Sequence, residues 1–326
     1  MNDKQNALEI IRFGKPSHVM TYIPSYDVGY HGANHQGYDD VGMEDGHNRP
    51  VGSRWTDIWG TGWHKEYPDV MGFPKIFPLA EVKALRHYKW PDPNDERICS
   101  PIYKQAEACS KHGEMFITGS NRDVLWEKSY MLAGMENIMS YFFTEPEYAK
   151  EILNKIMDFQ LGIAQHYVNV GVEIVGLSDD MGTQHSLLLG KDIFDEFIKP
   201  EYKRLFDFYK SKGIIINYHS CGYIEPLLES FIELGVDVLN PVQVTANNLE
   251  SLYTVTKGRM ALMGGISTAL IMDGTPAEIR ETVKHTINLL GKDGGYFCSP
   301  DQGMPFPEEN YNAFEEAVKD FGKYPL

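Results

Sequence analysis

The chain has 326 residues, 42% of them hydrophobic and 23% charged, which is ample for one large globular domain. Its 46 acidic residues outnumber its 30 basic ones and leave a net charge of −16, which repels a phosphate backbone, argues against nucleic acid and disfavours polyanionic substrates. Apolar runs such as residues 214–216 fall far short of the ~20 residues a membrane helix needs, and the opening MNDKQNALEI lacks a basic-then-apolar leader. With four cysteines, too few for a disulfide scaffold, a cytoplasmic protein without membrane attachment is expected.

In chain order, residues 19–23 read as a first strand. Residues 29–93 follow, rich in Gly, aromatics and His (His31, His35, His47, His64, His87) and broken by Pro68, Pro74 and Pro78. Aromatic richness argues against disorder, so this stretch is expected as ordered loops and short hairpins forming a lid or binding surface within residues 1–93. Cys99 and Cys109 lie on or beside a helix and read as structural.

From residue 115 onward short apolar runs alternate with amphipathic helices, the pattern of a parallel sheet with crossover helices. Strands are predicted at 115–118, 174–177, 214–218, 238–240, 261–264 and 296–298. Between them, 146–168 opens with a first-turn proline and 192–211 carries Ile193, Phe197, Ile198, Leu205 and Phe208 before Gly213 stops it. The best-marked helix follows Gly274: Thr275, Pro276 and Glu278 form an N-cap, a first-turn proline and a capping-box partner. No G-x-G-x-x-G opens any of these helices, so the expected fold is a (β/α)8 barrel spanning residues 1–326 as one domain, with an elaborated N-terminal segment.

Asn217-Tyr218-His219-Ser220-Cys221-Gly222 sits where a barrel strand ends, on the catalytic face. His and Cys two residues apart can reach one metal as a strand passes into a loop, and Cys298, at the end of the last predicted strand, supplies a third donor. One nitrogen and two sulfurs suit Zn²⁺ with an open fourth position. The alternative is that both cysteines are small buried apolar residues. Asp179 and Asp180 end the 174–177 run on the same rim, as proton handlers, a fourth ligand, a partner for His219, or simply turn and helix caps. Gln184, Asn240 and Gln243 are candidates for contacts to substrate or cofactor. Trp59, within the Trp-rich stretch from Arg54 to Trp63, could line an aromatic pocket or pack a hairpin. His31, His35, His47 and His64 read as surface or internally satisfied residues.

The run from His219 to Gly222, then Glu233 to Gln243, resembles the uroporphyrinogen decarboxylase superfamily, and within it the cobalamin-dependent methyltransferase branch. Ser178-Asp179-Asp180-Met181-Gly182-Thr183-Gln184, Phe197-Ile198-Lys199-Pro200, Gly294 to Cys298 and Pro307-Glu308-Glu309-Asn310 carry the same resemblance in the same order, as does Asp57-Ile58-Trp59-Gly60 earlier. The resemblance implies zinc held by His219, Cys221 and Cys298, as in the methylcobamide:coenzyme M methyltransferases, and methyl transfer to or from a corrinoid (methylcobalamin) presented by a partner corrinoid protein.

Two half-reactions stay open, with a thiol as methyl acceptor or a methyl ether or amine as donor. The decarboxylase branch resembles this chain less, because residues 20–45 contain no Arg or Lys to meet tetrapyrrole carboxylates. A cluster of Arg49, Arg54 and Arg122 at the barrel mouth would favour decarboxylation. A closed four-ligand site would favour a non-catalytic metal or corrinoid-binding protein, and a homodimer stays open.

Overall fold

A computed structural model of the chain describes residues 1–40, 48–109 and 113–326; His47 lies outside them. Seven parallel strands make one sheet: β1 (Ser25–Val28), then β5 (Phe116–Asn121), β6 (Ile174–Ser178), β7 (Ile215–His219), β8 (Val238–Val242), β9 (Ala261–Ile266) and β10 (Tyr296–Pro300), adjacent in that order. The six later strands lie where the sequence predicts them, each extended by one to three residues at its C-terminal end. A separate antiparallel sheet holds β2 (Arg54–Thr56), β3 (Gly62–His64) and β4 (Phe73–Ile76).

Residues 19–23 do not form the expected strand. Met20 makes a single parallel bridge to Phe297, in which its carbonyl accepts from Cys298 N at 2.8 Å, and four residues later the Pro24 carbonyl accepts from Phe116 N at 2.9 Å. One short segment therefore bridges the edge strand β10 and, as it enters the other edge strand β1, contacts β5. Pro24 has no N–H to give to a ladder, which fits the break between the bridge and β1.

Strand alternation divides the core into two faces. Phe116, Ile174, Val238, Ala261 and Phe297, at or near the starts of their strands, cluster inside the curl with Ala7, Ile10 and Ile11 of the helix Asp3–Ile11. That helix plugs the N-terminal ends of the strands and leaves their C-terminal ends for chemistry. Their outward neighbours, such as Val175, Ile216, Tyr218, Leu239 and Cys298, pack with the crossover helices. Gly119 is required where β5 meets the helix Pro146–Asn169, because a Cβ there would stand 2.5 Å from the Tyr167 ring.

The predicted helix 192–211 is one continuous rod built of Lys191–Ile193, a π-helical turn Phe194–Ile198 and Lys199–Ser211. Pro200 lacks the N–H that would continue the ladder, and the turn before it widens. Thr275 and Glu278 form the reciprocal capping box expected of them. No described helix is long and apolar enough to cross a membrane.

Candidate metal and active site

The C-terminal ends of β6 and β7 bring three donor atoms together. Asp180, His219 and Cys221 each offer one ligand atom, and all three atoms lie within 4.8 Å of one another. His219 Nε2 is 3.4 Å from Cys221 Sγ and 3.8 Å from Asp180 Oδ1. The parallel register sets His219 beside Ser178, so the residues just past each strand share one rim. Gly222, at φ +80°, turns the chain away where a Cβ would collide with the Gly182 backbone at 2.4 Å; the β6 and β7 loops can cross this closely only because both positions are glycine.

The imidazole is aimed by β8. Asn240 donates its amide to Asn217 Oδ1 at 2.6 Å and to the Tyr218 carbonyl at 3.3 Å, which leaves its Oδ1 to accept from His219 Nδ1 at 2.9 Å. The proton then sits on Nδ1, and the Nε2 lone pair faces Cys221 and Asp180, the tautomer a metal ligand needs. Asp180 Oδ1 accepts from Cys221 N at 2.8 Å and so holds the carboxylate against the cysteine backbone. Burial first, then the Asp180 charge, pushes the Cys221 thiol up to about 12, so that without a cation the thiolate is disfavoured. A nitrogen, a sulfur and a carboxylate oxygen on one rim, with the imidazole fixed from behind, fit a zinc ion.

Cys298 is not part of this group. It is fully buried and belongs to the outer packing layer, whereas its neighbour Phe297 points into the curl. The period-2 alternation of β10 turns the thiol towards Tyr296 and the helices. In its place Gln302, two residues beyond β10, donates its amide to Cys221 Sγ at 3.0 Å. Gln302 is held there by Thr268: its N–H donates to Thr268 Oγ1 and its carbonyl accepts from the same hydroxyl, each at 2.9 Å. An amide is an unusual metal neighbour, so side-chain type alone gave no signal for Gln302; its position just past a strand end did.

Of the roles open to Asp179, the structure shows the cap. Its carboxylate is fully buried and accepts the N–H groups of Leu125, Trp126 and Glu127, at 3.0, 2.6 and 2.7 Å, together with the Tyr202 hydroxyl. It therefore anchors the N-terminus of the helix Trp126–Ala133. Burial raises its carboxyl, while the hydroxyl and backbone donors favour the anion.

Among the weaker candidates, Gln243 accepts from Gly222 N at 2.8 Å and braces the turn after Cys221. Gln184 accepts from Thr245 Oγ1 at 3.1 Å on the outer rim. Trp59 is buried against Phe159, with ring centroids 4.6 Å apart, and has no place in the donor group. Cys99 is buried in its helix, as read.

His31 and His64 are satisfied, by the Gly37 carbonyl at 2.7 Å and by Glu66 at 3.4 Å. His35 is fully buried, stacks on Trp63 and pairs with Asp123 at 3.1 Å. Arg49 is held by Asp40 and lies over the Trp55 ring at 4.2 Å, and Arg54 lines a cleft with Trp55, His64 and Glu66, so neither joins Arg122.

The sequence reading missed Glu127, whose carboxyl is pushed up to about 9 by burial and by the charges of Asp123, Asp179 and Asp180. It accepts from the Tyr130 hydroxyl at 3.0 Å. The signal was available: Glu127 and Lys128 interrupt the apolar run Val124-Leu125-Trp126 at a strand-to-helix junction on the rim.

Residues 60–321 match the profile of the family described as uroporphyrinogen decarboxylase (URO-D). The chain belongs to the uroporphyrinogen decarboxylase family. It is 27% identical over 199 residues to a methylated-thiol--coenzyme M methyltransferase of Methanosarcina mazei, covering 58% of this chain and 49% of the relative. It is 28% identical over 184 residues to a uroporphyrinogen decarboxylase of Christiangramia forsetii, covering 56% of this chain and 51% of the relative. The chain thus spans about half the length of the curated relatives it matches. A solved methyltransferase from Methanosarcina mazei shares the fold of this chain, with a TM-score of 0.71, 16% identity and coverage of 98% of this chain and 99% of that one.

Proposed function

We propose that the chain, acting as a single barrel domain of the cytoplasm, is a zinc-dependent methyltransferase that moves a methyl group to or from a corrinoid carried on a separate protein. The observation that carries the reading is the donor group of Asp180, His219 and Cys221 at the strand ends. The ligand set proposed differs from the one the resemblance implies, with Asp180 in the third place instead of the buried Cys298. Similarity to a relative named for coenzyme M methylation favours methyl transfer to a thiol over the ether or amine alternative.

When bound, zinc would hold a substrate heteroatom in an open position and lower its basicity. The chain's own residues do the rest. Asn240 fixes the His219 tautomer, Asp180 supplies a carboxylate oxygen beside it, and Gln302 sets an N–H against the Cys221 sulfur. That hydrogen bond favours the thiolate and tempers its donation, which keeps a metal with fewer thiolate ligands electrophilic. Glu127, neutral around pH 7, offers a proton at the rim without adding charge.

Decarboxylation of a tetrapyrrole is the second reading, and the similarity to a named decarboxylase is what speaks for it. Against it stands the dispersal of Arg49, Arg54 and Arg122. Zinc analysis of the purified chain, together with demethylation of free methylcobalamin by a thiol panel, separates the readings. Zinc with thiol turnover supports thiol methylation; zinc with turnover only of a methyl ether or amine supports the opposite half-reaction; absence of zinc sinks both.

A further inference from the structure

A cleft adjoins the donor group where β10 leaves the rim for the helix Glu308–Phe321. Its volume is about 540 Å³, and Gln302, Met304, Phe306, Glu308 and Tyr311 stand in its wall. Gln302 belongs to both places: it lines the cleft while its amide donates to Cys221 Sγ at 3.0 Å. Cleft and sulfur are one glutamine side chain apart.

The inner end of the cleft is held by backbone. Asp301 N donates to the Ile266 carbonyl at 2.9 Å, Asp301 Oδ1 accepts from Thr268 N at 2.9 Å, and the two bonds between Gln302 and the Thr268 hydroxyl continue the tie. The outer wall is aromatic. The Phe306 and Tyr311 rings stack at an interplanar angle of 5° with centroids 5.7 Å apart, and Tyr311 packs in turn on the fully buried Phe314 at 5.8 Å. A flat apolar surface anchored to the core in this way suits another ring. Met304, half-exposed beside it, is a flexible thioether that can fold against a bound group.

Charge decides which class of ligand fits. No Lys, Arg or His stands among the described residues of the wall, and Glu308 adds a carboxylate in a chain of net charge −16. A carboxylate, sulfonate or phosphate entering here would give up hydration with no cation to replace it, whereas an uncharged ring gains by leaving water.

We propose that this cleft binds the uncharged aryl group of a substrate whose heteroatom lies at His219 and Cys221, so that an arylmethyl thiol is preferred to a short anionic one. The preference for a thiol rests on the methyl-transfer reading, but binding of the ring needs no metal.

The test is ligand-observed NMR titration of the whole chain, with and without added zinc, using benzyl alcohol, benzyl mercaptan, ethanethiol and 2-mercaptoethanesulfonate. Benzyl alcohol should bind saturably without zinc. With zinc, benzyl mercaptan should bind about tenfold or more tighter than each of the other three. Phe306→Ala should weaken both benzyl ligands by about tenfold. Met304→Lys, a change at a half-exposed side chain, should weaken them too and strengthen 2-mercaptoethanesulfonate, a reversal that mere loss of structure would not give. The proposal is overturned by absence of saturable benzyl alcohol binding, by benzyl binding that neither variant changes, or by tighter binding of 2-mercaptoethanesulfonate than of benzyl mercaptan. Benzyl mercaptan no tighter than benzyl alcohol in the zinc-loaded chain would detach the ring site from the donor group and also overturn it. Cys221→Ala separates the cleft from the metal: lost zinc with retained benzyl alcohol binding is expected, and a wild type without zinc would remove the metal reading while benzyl alcohol still decides the cleft.

Discussion

His219 and Asn240 meet across the C-terminal ends of two neighbouring strands, with imidazole Nδ1 2.9 Å from the amide Oδ1. The contact faces the ring so that Nε2, not Nδ1, meets Cys221 and Asp180. Asn240→Leu is therefore expected to fold normally and to bind zinc roughly 10- to 100-fold more weakly, the usual cost of losing such a supporting bond. Competition with a chelating dye measures it, and an unchanged affinity would remove Asn240 from the site.

Cys298 and Cys221 should behave as opposites. Cys298→Ala removes a buried thiol from the helix-facing layer and should keep its zinc at a cost of about 1 kcal/mol in stability. Cys221→Ala should lose zinc with little change in stability, because Cys221 is only partly buried. Metal analysis and thermal melts of the two variants check the pair.

Asp179 holds a helix, and its loss should show in stability first. Asp179→Ala leaves two buried N–H groups and one part-buried one without an acceptor, at roughly 1–3 kcal/mol for each buried unsatisfied donor. A drop in the urea midpoint with correspondingly low soluble yield is expected, while Asp179→Asn, which keeps one acceptor oxygen, should lose less.

Glu127 supplies the pH dependence. Its folded pKa is raised from an ordinary 4.5 to about 9, so between those values the folded state holds a proton that the unfolded chain has released. Stability from this group is full below pH 4.5, falls as pH rises towards 9 and is flat beyond. Glu127→Gln mimics the neutral acid, and the difference between the urea midpoints of variant and wild type should grow across that window. Parallel curves would show that Glu127 is ionised in the fold.

Much of this architecture is legible from residue pattern, and the reasons for the misses are local. Strands such as β6 and β7 announce themselves by apolar runs closed by Asp179-Asp180 and His219, and the capping box of Thr275 and Glu278 is readable without any structure. The side Cys298 faces is not legible because a run of three buried residues, Tyr296 to Cys298, carries no alternation in its polarity. Asp179 and Asp180 are adjacent and chemically identical, yet strand geometry sends one to the helix Trp126–Ala133 and the other to the metal donors. Gln302 lies just past a strand end, which the sequence marks, but its contact with Cys221 joins residues 81 apart, which no local pattern records.

The most direct test of the metal site is zinc-edge X-ray absorption of the purified chain, set beside the spectra of Asp180→Ala and Cys221→Ala. One sulfur with nitrogen and oxygen neighbours in the wild type, losing the sulfur shell or the metal itself in Cys221→Ala, is the result expected of a site built from Asp180, His219 and Cys221. Two sulfur neighbours in the wild type, or a sulfur shell that survives Cys221→Ala, would contradict it and return Cys298 to the metal.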